Sequence, residues 1–266
     1  MTLSVTTWNI NSVRLRIGLV TQFLKDYAPD ILCLQETKCP NEQFPLGEFR
    51  KIGYPYIAIQ GQKGYNGVAI ISRKPFEDRQ AIDYCDKPDC RHISVRLSGS
   101  GVIIHNYYVP AGGEIANPDL NIKFAHKLQF LAQMEQNSSE GKATRRAEIM
   151  VGDLNIAPCE HDVWSHKQLL DVVSHTPIET QTLDRIRDVG NWHDGIRMLE
   201  PEPTKVYTWW SYRAADWLAS NKGRRLDHIW HSADLSPALK SYHILKEARG
   251  WERPSDHVPL TVVYDI

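Results

Sequence analysis

Ile149-Met150-Val151-Gly152-Asp153-Leu154-Asn155-Ile156-Ala157-Pro158 is the stretch whose reading decides the fold. An apolar run that stops in Gly-Asp-x-Asn predicts a buried strand delivering two polar side chains to the rim of a sheet, with Pro158 preventing the ladder from continuing. Asp153 and Asn155 are two apart, which in a strand puts both on one face. A carboxylate that can hold a proton and an amide that can donate to an oxyanion then share one volume. The same Asp-x-Asn is ordinary turn chemistry after a strand, and on these residues alone the turn is the better reading.

A chain of 266 residues can bury a sizeable core. Its 42% hydrophobic and 24% charged residues match a soluble globular protein. With a formal net charge of −1, any binding of nucleic acid has to come from a local basic patch. That weakens a purely electrostatic binder but not a nuclease, whose acidic metal site cancels basic residues in the total. Cys33, Cys39, Cys85, Cys90 and Cys159 are odd in number and scattered, which points to a reducing compartment and away from a disulfide framework or structural zinc. The start lacks a basic region followed by an apolar core, and no apolar run approaches transmembrane length. The expectation is one domain over residues 1–266, cytoplasmic, not membrane-bound.

Working outward, residues 3–8 alternate and run into Asn9-Ile10-Asn11-Ser12, a strand entering a polar loop. Ser12 is placed to cap a helix carrying Val13, Ile17, Val20 and Leu24 and ended by Ala28-Pro29. Residues 31–35 are continuously apolar up to Gln35, hence a strand buried on both faces, ending in Glu36-Thr37-Lys38. This βαβ opening sets Asn9, Asn11 and Glu36 just beyond strand C-termini, the rim where open α/β sheets bind ligands. Further strands are predicted at 56–60, 68–72, 93–97 and 102–109, then a helix over 119–136 bearing Lys123 and Lys127 as a one-sided cationic pair. Residues 137–146 read as a connection. After the Asp153 strand come helices near 163–173 and 178–189 and strands near 207–212, 226–231, 239–245 and 258–264. Each half supplies one mixed sheet. The economical architecture is an α/β sandwich of two mixed sheets packed face to face with helices outside.

Polar groups thus gather at strand termini: carboxylates Glu36, Asp153, Asp227 and Asp256, the imidazole of His257, and amides Asn9, Asn11 and Asn155. Oxygen ligands of this kind suit Mg²⁺ or Mn²⁺, and the scarcity of His and Cys argues against zinc. Phosphodiester hydrolysis needs a base for the attacking water, a Lewis acid on the phosphoryl oxygen, and donors for the transition-state charge. Each is represented in the set.

The ordered motifs Trp-Asn-Ile-Asn, Gln-Glu-Thr-Lys, Asn106-x-Tyr108-x-Pro110, Gly-Asp-x-Asn-Ile-Ala-Pro, Arg-x-Asp and Ser-Asp-His-x-Pro resemble the exonuclease III family of abasic-site endonucleases. That family lies within the endonuclease/exonuclease/phosphatase superfamily, and the resemblance runs from Asn9 to Pro259. It implies a four-layered αββα sandwich and a Mg²⁺-dependent enzyme that cuts duplex DNA 5′ to an abasic site and degrades it from 3′ ends, expected as a monomer. By position, Glu36 matches the principal metal ligand, with Asn9, Asn11 and Asp256 near the metal and Asp153, Asn155 and His257 completing that set. Asp153 matches the residue that orients or deprotonates water, Asn155 a phosphate donor, and His257, held by Asp227, a second donor or the base. Tyr108 matches the tyrosine at the phosphate or leaving group. Lys127, beside Lys123, matches a phosphate-contacting lysine, and Arg91 more loosely a DNA-contacting arginine.

The catalytic core is shared across the superfamily and cannot name the substrate. The discriminating stretch is Tyr207-Thr208-Trp209-Trp210-Ser211-Tyr212-Arg213 with Lys222-Gly223-Arg224-Arg225-Leu226-Asp227. Aromatics interleaved with basic residues suit a loop that meets DNA and walls a pocket. Trp209, Arg224 and Leu226 are assigned to that wall and Trp210 to the core. Arg224 departs from the family, whose members often carry an apolar or aromatic residue there. The alternatives are a phosphodiesterase of the same fold acting on RNA or a small phosphoester, and a non-catalytic DNA-binding module.

Overall fold

The computed structural model describes residues 2–142 and 147–266. Fourteen strands are present among them: β1 (Thr2–Asn9), β2 (Ile31–Gln35), β3 (Tyr56–Gln60), β4 (Val68–Ser72), β5 (Phe76–Gln80), β6 (His92–Leu97) and β7 (Ile103–Tyr108). They continue as β8 (Glu148–Asp153), β9 (Trp192–Asp194), β10 (Trp209–Trp210), β11 (Gly223–Arg224), β12 (Asp227–Ser232), β13 (Leu239–Ile244) and β14 (Leu260–Asp265). One six-stranded sheet runs β13-β14-β1-β2-β4-β3 and the other β5-β6-β7-β8-β12-β9, with β10 and β11 forming a small ribbon. Only β1–β2 and β7–β8 pair in parallel, so both large sheets are mixed.

Burial on both faces explains the continuous apolar strands. In β2, Ile31 and Cys33 join the core between the sheets while Leu32 and Leu34 face the outer layer that holds Val20, Phe23 and Leu24 of the helix Ile17–Tyr27. In β8, Ile149 and Val151 face the inter-sheet core, and Met150 packs outward with Phe130, Leu131, Leu183 and Ile186. Those four belong to the helices Ile122–Gly141 and Pro177–Gly190. The result is the expected four-layered αββα sandwich. Among the described residues no helix is long and apolar enough to cross a membrane.

The division into one sheet per half is corrected. β5, β6 and β7 from the first half share one sheet with β8 and β12 from the second, while β13 and β14 return to the sheet of β1, with Thr2 opposite Asp265. Strand pairing is decided by non-local contacts that sequence order does not encode. β5 escaped prediction because four of its five residues are exposed and polar. Ser12 does not cap the first helix, which begins after Arg16 and ends at Ala28 in the left-handed conformation. The second long helix is capped by the Asn121 side chain and continues to Gly141, five residues past the predicted end, so the connection read at 137–146 is helical at its start; its residues 143–146 lie outside those described. The helix read at 163–173 shrinks to His166–Leu169, and the strand read at 207–212 shrinks to β10.

Two apolar faces give no directional restraint on sliding, and a buried polar node supplies one. Gln35 Nε2 on β2 donates to Asn106 Oδ1 on β7 at 2.7 Å, and Asn106 Nδ2 donates to the carbonyls of Leu34 and Ala69 at 3.0 and 2.9 Å. Near it, Gly152 has φ +147°, and a Cβ built there would lie 2.0 Å from the Tyr107 carbonyl oxygen. Gly152→Ala is expected to cost about 2–4 kcal/mol through strain and a forced shift of β7, measured as a lowered urea midpoint with m unchanged.

His231, on β12, is held neutral: burial, reinforced by His193, pushes its pKa down to about 4 from an ordinary 6.5. Between those pH values the unfolded chain binds more protons than the folded one, so stability falls as pH falls, by roughly 1.4 kcal/mol per unit at most. Urea unfolding at pH 7 and pH 5 should therefore show roughly 2 kcal/mol more loss in the native chain than in His231→Gln.

Candidate active site

The C-terminal rims of both sheets meet at one point. Asn9 ends β1, Asp153 ends β8, and Tyr108, Asp153 and Asp227 stand in one row across β7, β8 and β12. The buried Asn9 amide joins the sheets, donating from Nδ2 to Glu36 Oε1 at 2.9 Å and to Asp153 Oδ2 at 2.8 Å. Ser255 Oγ donates to the Asn9 carbonyl at 2.6 Å and accepts from the His257 amide at 3.2 Å. Thus the segment 255–257 is hung on β1. There His257 Nδ1 meets Asp227 Oδ2 at 2.8 Å and Nε2 lies 3.6 Å from Asp153 Oδ2. Thr208 orients Asp227, donating from Oγ1 to Oδ2 at 2.6 Å.

Asn155 is not on the strand face. The strand stops at Asp153, and Asn155 takes φ +54°. Its N–H donates to Asp153 Oδ1 at 2.9 Å, while Nδ2 donates to the Val109 carbonyl at 2.9 Å and to Asp153 Oδ2 at 3.2 Å. The backbone follows the turn reading of Asp-x-Asn, and turn chemistry is what brings the amide to the carboxylate.

Glu36 and Asn11 both have positive φ just past their strands. Between them sits a residue absent from the candidate set: Lys38, whose Nζ lies 2.8 Å from Glu36 Oε2 and 2.6 Å from Asn11 Oδ1. The Glu36-Thr37-Lys38 spacing was the available signal. Asn11 Nδ2 also reaches Asp256 Oδ1 at 3.5 Å, and Asp256 Oδ2 accepts from Trp209 Nε1 at 2.9 Å. Trp209 lines the cleft and Trp210 is buried.

Electrostatics separate the roles. Burial raises the Asp153 pKa above the carboxylate range, with His257 opposing. Burial disfavours the His257 imidazolium, but Asp227 and Asp153 outweigh it and lift its pKa well above the usual value. Burial would raise Glu36, yet the Lys38 ammonium beside it brings the net shift downward. Tyr108 is pushed far up by burial and by Glu36 and Asp153, so its phenol stays neutral and can donate.

Asp153, Asp227 and His257 each offer a ligand atom within 4.8 Å of the others. The oxygen donors of Glu36, Asn9, Asn11 and Asp256 lie beside this cluster and form a second candidate cation seat. Lys38 supports this, because an ammonium already occupies the position between two of them. Hard oxygen donors with excess negative charge fit Mg²⁺ or Mn²⁺.

Two expected DNA contacts, Lys127 and Arg91, are placed differently. Lys123 is exposed, but Lys127 is fully buried. Lys127 Nζ lies 2.5 Å from Glu179 Oε1 and 2.8 Å from the Asn155 carbonyl oxygen. Helical spacing grouped the two lysines on one face, but the helix Pro177–Gly190 packs over Lys127 and not over Lys123, so its ammonium has no exposed surface for a phosphate. Arg91 is tied down as well: its Nε meets Asp89 Oδ2 at 2.5 Å and its guanidinium lies 4.9 Å over the Tyr108 ring. The structure uses Arg91 to hold Tyr108. Arg224 and Leu226 do line the cleft with Trp209. That cleft, about 800 Å³, opens over Glu36, Asp153, Asn155 and His257.

A family model described as the endonuclease/exonuclease/phosphatase family matches residues 6–257. Exodeoxyribonuclease III of Haemophilus influenzae is 28% identical over 264 residues, covering 96% of this chain and 97% of that protein. An AP endonuclease from Archaeoglobus fulgidus has a similar structure with a TM-score of 0.91 at 33% identity, covering 99% of this chain and 100% of that one. A single-substitution form of the 3′ phosphatase NExo from Neisseria, bound to a product DNA hairpin, gives a TM-score of 0.90 at 34% identity over 99% of this chain and 100% of that one.

Removing the buried cation should leave Glu179 uncompensated. Lys127→Met is expected to cost about 3–5 kcal/mol, and Lys127→Met/Glu179→Gln to recover most of it, both read from urea midpoints.

Proposed function

The chain belongs to the endonuclease/exonuclease/phosphatase family and, within it, to the exonuclease III branch, and on that premise we propose a Mg²⁺-dependent DNA-repair nuclease that incises duplex DNA 5′ to abasic sites and removes nucleotides from 3′ ends. The observation that carries this reading is the Asn9 bridge, which brings Glu36 from one sheet and Asp153 from the other onto one cleft beside His257.

Asp153 is the base. Its pKa, raised by burial, makes it a better acceptor than an ordinary carboxylate while leaving it ionisable near neutrality. His257 stays protonated through Asp227 and Asp153 and donates to a non-bridging phosphate oxygen as charge builds there. The Tyr108 hydroxyl, kept neutral, is a second donor. When Asp153 takes the water proton its hold on Asn155 Nδ2 weakens, freeing that amide to turn toward phosphate. Glu36, with Asn9, Asn11 and Asp256 beside it, would hold Mg²⁺ or Mn²⁺, which when bound supplies Lewis-acid stabilisation of the phosphoryl charge. Both sheets contribute groups to the one cleft, which supports action as one domain.

The test is an end-labelled duplex carrying one stable abasic analogue, incubated with Mg²⁺ or with chelator. Incision should require the metal, and Asp153→Asn should lower kcat/KM by about 10²–10⁴-fold. Incision that persists in chelator, or that the substitution leaves intact, sinks the assignment.

A further inference from the structure

Arg14-Leu15-Arg16 follows the turn that closes β1, and its two guanidinium groups go opposite ways. Arg14 is exposed and reaches Gln43, whereas Arg16 turns inward and is only 8% exposed. Arg16 Nη1 donates to the carbonyls of Asn11 and of Ile10, the latter at 3.3 Å. Its Nε donates to the Arg253 carbonyl at 3.0 Å and Nη2 to the Tyr212 hydroxyl at 3.1 Å. That hydroxyl passes the link on, donating to the Pro254 carbonyl at 2.8 Å. One guanidinium thus ties together the exit of β1, the loop after β10 and the stretch that leads into Asp256 and His257. Ser255 fixes the middle of that stretch to Asn9, and Arg16 fixes its start.

A buried cation ordinarily sits against a carboxylate. Among the described residues the side chain of Arg16 instead ends on carbonyl and phenol oxygens, so its rigid fork of donors is spent on holding backbone in place. That backbone is strained. Asn11, Ser12 and Arg253 have φ of +48°, +89° and +49°, and residues other than glycine persist in this region only where their surroundings over-determine them. The N–H groups of the turn are taken from the Glu36 side: Ser12 donates to the Glu36 carbonyl at 2.7 Å and Val13 to the Thr37 carbonyl at 3.1 Å. Its carbonyls are taken by Arg16, which joins the turn to Arg253. The oxygen donors of the proposed cation seat are divided in the same way. Glu36 and Asn9 are bonded directly at 2.9 Å. Asn11 and Asp256 meet only at 3.5 Å, so their spacing is set by the two backbones and not by their own contact.

We propose that Arg16 is a positioning residue for the cation seat, holding Asn11 and Asp256 at the spacing that lets both act on one Mg²⁺ or Mn²⁺ ion. The inference rests on the nuclease reading and deepens it, by naming a residue that sets how tightly the metal is held. Mg²⁺ demands near-ideal geometry from its oxygen ligands, so slack between the two backbones weakens binding without removing any ligand. By engaging the carbonyls of residues 10, 11 and 253, Arg16 also leaves the seat to side-chain oxygens. Charge alone predicts the opposite effect, since deleting one cation near the seat would tighten binding of another. The two roles therefore differ in sign.

The test is Mn²⁺ binding to the DNA-free chain, read from the electron paramagnetic resonance signal of the free ion. The dissociation constant should rise by about tenfold or more in Arg16→Met, as for other residues that orient metal ligands, and Arg16→Lys should recover part of the loss. Tyr212→Phe keeps the guanidinium but removes the hydroxyl that it and Asn11 both approach, and should raise the constant about two- to fivefold. Tyr212 is half exposed, so this variant carries the test if Arg16→Met fails to fold. A partly unfolded sample has fewer sites per chain but not weaker ones, so the number of sites separates folding from positioning. Incision of the abasic duplex at saturating Mg²⁺ should keep kcat within about threefold of native, with the loss confined to the metal concentration required. Mn²⁺ binding that is unchanged or tighter in the variants overturns the proposal and leaves the nuclease reading standing. A native chain that binds no Mn²⁺ overturns the proposal whether or not it cuts DNA, and one that also cuts nothing overturns both.

Discussion

The active site depends on how far one sheet can slide over the other, and that is set by the amides of Gln35 and Asn106. Their side chains hydrogen-bond across an interface that is mostly apolar among the described residues. A buried amide left unpaired costs about 1–3 kcal/mol, so any other register is penalised although the apolar contacts would tolerate it. Glu36 follows Gln35 directly and Tyr108 follows Asn106 by two positions, so fixing these two amides also fixes the rims. Asn9 completes the alignment, because one Nδ2 serves carboxylates from both sheets.

That arrangement concentrates like charge. Glu36, Asp153, Asp227 and Asp256 crowd a small volume, and the neighbouring cations are Lys38 and His257. Their mutual repulsion is tolerated because each carboxylate also accepts from an amide, hydroxyl, indole, imidazole or ammonium donor. The site is therefore poised for a cation and for a polyanionic phosphate, and it is held there by packing elsewhere. The Lys127 and Glu179 pair extends this support, since it steadies the Asn155 turn from below and, through Ser174, the loop that Arg224 grips.

Legibility followed locality. β2 and β8 could be read because both of their faces are covered, which writes a continuous apolar run into adjacent residues. The rim residues could be read because they follow those runs directly. The assignment of strands to sheets could not, because β1 pairs with β14 across almost the whole chain. The burial of Lys127 was hidden for a related reason: periodicity grouped it with the exposed Lys123 but does not say which part of a helix face a second helix covers. Lys38 was signalled only by its nearness to Glu36 in sequence, and Thr208, which reaches Asp227 from a distant segment, left no pattern of spacing at all.

The pairing of β1 with β14, and the bond from Ser255 to Asn9 across 246 positions, tie assembly of the centre to synthesis. Until Ser255 and His257 have been made and docked, Asn9 lacks its hydroxyl partner and Asp227 lacks its imidazole. A growing polypeptide thus carries separated fragments of a hydrolytic centre, and the ability to cut a phosphodiester arises only at the step that closes the first sheet. A chain arrested or clipped ahead of its last two strands keeps most of its mass and none of its chemistry.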